Sequence, residues 1–172
     1  MLVGPVTLRG VAKTLMLLRH AKSAQRDDMP DRERPLAGRG PRDAPAAGRW
    51  LRENDLDPQL ALVSSARRAV ETFELVAGEL ATRPRDLVTS DAYSAGAGEL
   101  LELVRGLPQD VDSVLVVGHN PAIETLAALL DQQDRPSRDF PTSAIAVFEL
   151  TTAWAEVEPG TARLTAFAVP RG

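Results

Sequence analysis

The 172-residue chain has no cysteine and only two histidines. Without cysteine there are no disulfides and no thiolate metal sites, and the redox compartment cannot be read. No apolar stretch approaches the ~18 residues of a membrane span. The opening MLVGPVTLRGVAK carries a Gly-Pro break and no basic residue ahead of its apolar part, so it makes a poor signal peptide. A cytoplasmic protein with no membrane partner is therefore expected. Internal repeats and low-complexity segments are also missing. The chain is 44% apolar and 26% charged, ordinary for a globular protein. Its length fits one domain, residues 1–172, with its own core.

Charge is short on one side and in surplus on the other. Residues 1–52 hold eleven Lys/Arg against five Asp/Glu, a net of +6, while the remainder holds nine against nineteen, a net of −10. An acidic chain of net charge −4 is a weak candidate for general nucleic-acid binding, which needs many phosphate contacts. The local arginine surplus suits a smaller anion, or simply a solvated basic surface.

Short continuous apolar runs at Leu15–Leu18, Leu60–Val63 and Val114–Val117 read as strands buried on both faces. Later segments, 144–150 and 163–169, mix β-branched and aromatic residues and also read as strands. Helical spacing appears in 41–54, 65–80, 96–107 and 120–131. Pro41 suits a first turn, whereas Pro45 is expected to delay or kink its helix. Ser64 or Ser65 is available to cap the helix that follows it. Residues 131–141 read as a polar, proline-bearing loop. The alternation predicts an α/β fold, a three-layer sandwich with a mainly parallel central sheet flanked by helices.

Both histidines directly follow an apolar run: His20 in TLMLLRHAKSA (14–24) and His119 in SVLVVGHNPA (113–122). Ligands of open α/β sheets bind outside the carboxyl ends of the strands. If these two strands are neighbours, the two imidazoles face one pocket. Arg19 adjoins His20, and Arg68 falls in the first helical turn after a third such strand. A helix N-terminus there adds backbone N–H groups and a favourable dipole for an anion. The combination describes a phosphate site. Taken singly, a histidine after a strand is more often a hydrogen-bonded structural residue than a catalyst, and two in such similar contexts bring the readings level; Arg67 with Glu71 reads as a plain i,i+4 pair.

The motifs in order resemble those of a known family. LLRHAKS (17–23) resembles the Arg-His-Gly/Ala signature of the histidine phosphatase superfamily, and VSSARRAVET (63–72) its second element, whose spacing from Thr72 selects Arg68 over Arg67. VVGHNPA (116–122) resembles the second-histidine motif. RERPLAGRG (32–40) and FPTSAIAVFEL (140–150) are similar to elements of the small SixA-type phosphohistidine phosphatases. Residues 1–13 lie outside the resemblance, as an extension.

The resemblance implies a phosphoglycerate mutase-like fold and His20 as nucleophile. It also implies Arg19, Arg34 and Arg68 on the nonbridging phosphate oxygens, and His119 donating to an equatorial oxygen. No metal and no other cofactor is implied. The implied substrate is a protein phosphorylated on histidine, or alternatively a small phosphate ester, with inorganic phosphate as product. A phosphate-binding scaffold without catalysis is the reading from another class. Lys22, Ser23, Thr142 and Ser143 are candidates to line the pocket, with a solvated rim charge for Lys22 and simple turn capping for Thr142 and Ser143 as the alternatives. Asn120 is available to cap the helix after His119. Relatives acting on alkyl esters use an acid to protonate the leaving group; Asp31, Glu33, Asp91 and Glu99 are available, and no spacing singles one out. Phosphohistidine needs less help, because imidazole, with a pKa of roughly 6.5, leaves far more readily than an alkoxide.

Overall fold

The computed structural model describes residues 12–133 and 138–172. The expected N-terminal extension lies outside the described residues as far as residue 11; Lys13 already belongs to the first strand. Part of the expected 131–141 loop, residues 134–137, also lies outside them.

Six strands form one sheet: β1 Lys13–Arg19, β2 Leu60–Ser64, β3 Arg85–Thr89, β4 Ser113–Gly118, β5 Ile145–Leu150 and β6 Arg163–Ala168, in the order β3-β2-β4-β1-β5-β6. The first four run parallel, while β5 and β6 are antiparallel additions beside β1. Five helices connect them: α1 Gly40–Glu53, α2 Arg67–Ala77, α3 Ser90–Ser94, α4 Ala97–Arg105 and α5 Ala122–Leu130.

The continuous apolar runs are strands because both of their faces are covered. Leu15, Leu17, Leu62, Val114 and Val116 pack with Leu100 and Val104 of α4 and Ile123 and Leu126 of α5. The alternate residues Met16, Leu18, Val63, Leu115 and Val117 pack with Leu51 of α1 and Phe73 and Val76 of α2. Helices therefore lie on both faces of a mainly parallel sheet, the expected three layers. Among the described residues, no helix is long and apolar enough to cross a membrane.

Three local expectations need correction. α1 begins at Gly40 and runs through Pro45 to Glu53, so Pro45 does not delay the helix. The N-cap of α2 is Ala66, which has no side-chain acceptor to cap with; the Ser64 and Ser65 hydroxyls ahead of it meet His119 and Arg32. Asn120 precedes Pro121, the N-cap of α5, and makes no cap bond there; its Nδ2 donates to Glu124 Oε2 and to the Phe140 carbonyl, both at 2.9 Å. β3, α3 and two single 3-10 turns, Asp31–Glu33 and Trp154–Glu156, add to the predicted elements.

β1 leads to α1 on one face of the sheet, and β4 leads to α5 on the other. Their carboxyl ends, side by side in the sheet, therefore diverge into a crevice.

Candidate active site

Arg19 stands opposite Gly118 in the parallel β1–β4 ladder, so the next residues, His20 and His119, leave the sheet side by side. The His20 amide still donates to the Gly118 carbonyl at 3.0 Å, and the two imidazole centroids are 5.1 Å apart.

His20 is 7% exposed, and its Nδ1 lies 2.7 Å from the Ala21 carbonyl. A carbonyl only accepts, so Nδ1 carries the proton and Nε2 keeps a free lone pair. Burial pushes the pKa of His20 down to about 3, with His119, Arg68 and Arg19 adding to the effect; the Ala21 hydrogen bond opposes it. The ring is neutral at physiological pH. Ala21 is itself fixed, since its amide donates to Thr72 Oγ1 at 2.9 Å while that hydroxyl donates to the Arg68 carbonyl at 2.6 Å. Thr72 thus ties the segment after His20 to the turn of α2 that carries Arg68.

His119 meets Ser64 at the end of β2, Nε2 to Oγ 2.7 Å. Ser64 Oγ also accepts the Ala66 amide at 3.3 Å and has its own proton to offer His119 Nε2. In the tautomer that takes this proton, Nδ1 carries the ring hydrogen. Burial, then Arg68, lowers the His119 pKa to about 4, against an opposing contribution from Asp31.

Arg68 is 6% exposed and donates to Asp31 twice, to the carbonyl at 2.8 Å and to Oδ2 at 3.0 Å. Arg34 donates to Asp31 Oδ1 through Nε at 2.9 Å and NH2 at 2.7 Å, and through NH1 to the Ala24 carbonyl at 2.7 Å and to Ser23 Oγ at 3.2 Å. Arg19 donates to the Phe140 carbonyl at 3.0 Å. Ser143, buried and at φ +64°, sends its amide to the carbonyls of Arg19 at 3.1 Å and His20 at 3.3 Å.

Five buried polar atoms here have no hydrogen-bond partner among the described residues: Arg19 Nε, Arg68 Nε, His119 Nδ1, Asn120 Oδ1 and Ser143 Oγ. Arg19 Nε, Arg68 Nε and the Ser143 hydroxyl are donors. Leaving a buried donor unsatisfied costs about 1–3 kcal/mol, so a cluster of them at one sheet edge is suited to receiving an anion.

The structure brings His20, His119, Arg19, Arg34, Arg68 and Ser143 together. Ser23 is buried and serves Arg34. The Thr142 hydroxyl takes a 3.5 Å contact from Arg39 and its carbonyl accepts from Arg171 at 2.9 Å, and the exposed Lys22 side chain lies beside Gly38, just ahead of α1. Arg67 pairs with Glu71 at 2.6 Å, away from this group. Sequence reasoning missed two partners. Ser64 was legible only as a helix cap, and Tyr93 carried no signal beyond being the chain's one tyrosine. The Tyr93 ring stands edge-on to His119 at 5.8 Å, and its hydroxyl donates to Asp31 Oδ2 at 2.8 Å.

A sequence model of the histidine phosphatase superfamily (branch 1) matches residues 15–91. An uncharacterized protein of Mycobacterium tuberculosis is 40% identical over 162 residues, covering 90% of this chain and all of its own length. Among solved structures, a protein of Nakamurella multipartitia assigned as a phosphohistidine phosphatase SixA is 32% identical. It matches 92% of this chain and 96% of its own with a TM-score of 0.81. The protein histidine phosphatase SixA complexed with tungstate is 26% identical, over 91% and 97% of the two chains, with a TM-score of 0.78.

Proposed function

Because the chain belongs to the histidine phosphatase superfamily, we propose that it is a metal-independent phosphatase that takes phosphate from phosphohistidine on proteins, through a phosphohistidine formed on His20. The observation that carries the reading is the neutral His20, its Nε2 lone pair free, beside a cluster of unpaired buried donors.

In the first step Nε2 attacks phosphorus as the bond from phosphorus to the substrate imidazole breaks; the departing imidazole takes a proton from solvent. Water then attacks the phosphorus on His20, gives up its proton, and releases inorganic phosphate. Arg19, Arg34 and Arg68 hold the nonbridging oxygens, for which a planar guanidinium fork is well shaped. His119 Nδ1–H donates to an oxygen that gains charge in the transition state. The related protein histidine phosphatase SixA is complexed with tungstate, an oxyanion like phosphate, which supports a phosphate ligand for this chain.

The leaving group decides between phosphohistidine and alkyl esters. Asp31 accepts from Arg34, Arg68 and Tyr93, and these donors, with Tyr93 first, hold its carboxyl well below the usual carboxylate range. It has no proton to give. Glu99 accepts the Gly96 amide at 3.0 Å at the start of α4. An aspartate held as the carboxylate at this position favours a leaving group that needs no proton from it.

The test is a parallel screen of a phosphohistidine peptide, sugar phosphates and an aryl phosphate, with His20→Ala as control. Acid-labile label trapped on His20 and preference for the phosphohistidine peptide are expected. Normal turnover by His20→Ala would sink the mechanism, and a sugar phosphate turned over far faster would replace the substrate class. Calorimetric phosphate binding with no hydrolysis of any donor would leave a binding protein.

A further inference from the structure

A carboxylate at the mouth of an anion site is a liability, since it repels the phosphate the arginines attract. Asp31 nevertheless stands there with a half-exposed side chain, while Arg68 is buried and the Arg34 side chain is 15% exposed. Its position joins three separate elements: the 3-10 turn Asp31–Glu33 that carries it, α2 through Arg68, and α3 through Tyr93. Each carboxylate oxygen takes two hydrogen bonds, Oδ1 from Arg34 and Oδ2 from Arg68 and Tyr93. The Asp31 backbone carbonyl takes a further bond from Arg68 NH1. Tyr93 is confined in turn, with the Arg32 guanidinium 4.9 Å over its face and His119 against its edge. Arg32 is itself held at 2.7 Å by Ser65 Oγ.

We propose that Asp31 is a positioning residue for phosphoryl transfer: it clamps Arg34 and Arg68 in one orientation, with Tyr93 holding the clamp. The proposal rests on the phosphatase reading above but not on phosphohistidine as the substrate. Asp31 touches no reacting atom. Its role is differential: it weakens ground-state attraction for the phosphate dianion and in return presents both guanidiniums in the geometry the transition state needs.

This division separates a positioning role from a merely structural one, because the two predict different splits between binding and rate. The substrate for the test is p-nitrophenyl phosphate, whose good leaving group isolates the phosphoryl site, and the binding probe is inorganic phosphate in a calorimeter. Asp31→Asn is expected to lower kcat by about tenfold or more. Phosphate affinity should stay the same or tighten, since a negative charge has been removed. Tyr93→Phe should lower kcat by about threefold with phosphate affinity unchanged, and the double variant should be no slower than Asp31→Asn alone. Wild-type kcat in Asp31→Asn overturns the proposal, as does a loss of phosphate affinity that matches the loss of rate. If Asp31→Asn does not fold, Tyr93→Phe decides by the same two criteria. A wild-type protein that hydrolyses no phosphodonor fails the phosphatase reading itself, an outcome separate from either.

Discussion

Ser64 Oγ accepts one amide proton and has one proton of its own to give, with His119 Nε2 at 2.7 Å to pair with. Substituting alanine leaves that nitrogen buried without a partner and frees the ring to take the other tautomer. Ser64→Ala is expected to lower kcat on an aryl phosphate about ten- to a hundredfold, the equivalent of the ~1–3 kcal/mol for an orphaned buried group. Circular dichroism should remain native; an unchanged kcat would remove Ser64 from the site. At this scale the sequence was most legible where a residue type is costly. Two histidines and a row of arginines at strand ends have few bland explanations together, and the distance to Thr72 separated Arg68 from Arg67. Ser64, Asp31 and Tyr93 were not legible in these roles. Serine at a strand end, aspartate in a polar turn and tyrosine on a short helix each have an ordinary local use, and only the folded chain shows what they face.

α1 starts where it does because its first residue has no side chain. A Cβ on Gly40 would stand 2.1 Å from the Lys22 carbonyl, two residues beyond His20. The same carbonyl accepts the Ala37 amide at 3.0 Å, so the turn and the start of the helix close on it together. Gly40→Ala should therefore destabilise the protein by about 1–3 kcal/mol through overpacking, measured by urea unfolding. It should also slow turnover, because the displaced carbonyl lies on the segment that fixes His20; a variant of wild-type stability would show that the contact yields. The buried strands were readable from their unbroken apolar runs. β3 was not, because Arg85–Thr89 lies at the sheet edge with Leu87 and Val88 both exposed, and neither alternation nor a continuous run marks it. Pro45 misled for a related reason: local propensity argued against a helix that packing on the sheet sustains.

For the molecule as a whole, two neutral histidines, His20 buried and His119 half-buried, make acid a denaturant. Folded pKa values of about 3 for His20 and about 4 for His119 lie below the ordinary 6.5, so the unfolded chain takes up protons first as pH falls. The sign follows: stability is full above pH 6.5 and drains as pH drops toward the folded values. Each histidine contributes a slope of up to about 1.4 kcal/mol per pH unit. Urea unfolding at pH 7, 6 and 5 should show this decline, and His20→Gln should make it shallower. Identical slopes in the two proteins would mean that His20 is not depressed. The β1–β4 ladder has one more consequence. His20 and His119 meet only because strands about a hundred residues apart in sequence pair in one register, and contacts of that span close late in folding. A nascent chain that has not yet emitted β4 holds half of the proposed catalytic pair, so the proposed activity can arise only after most of the polypeptide has been made. Regain of turnover during refolding is thus a direct clock for the closing of the central sheet.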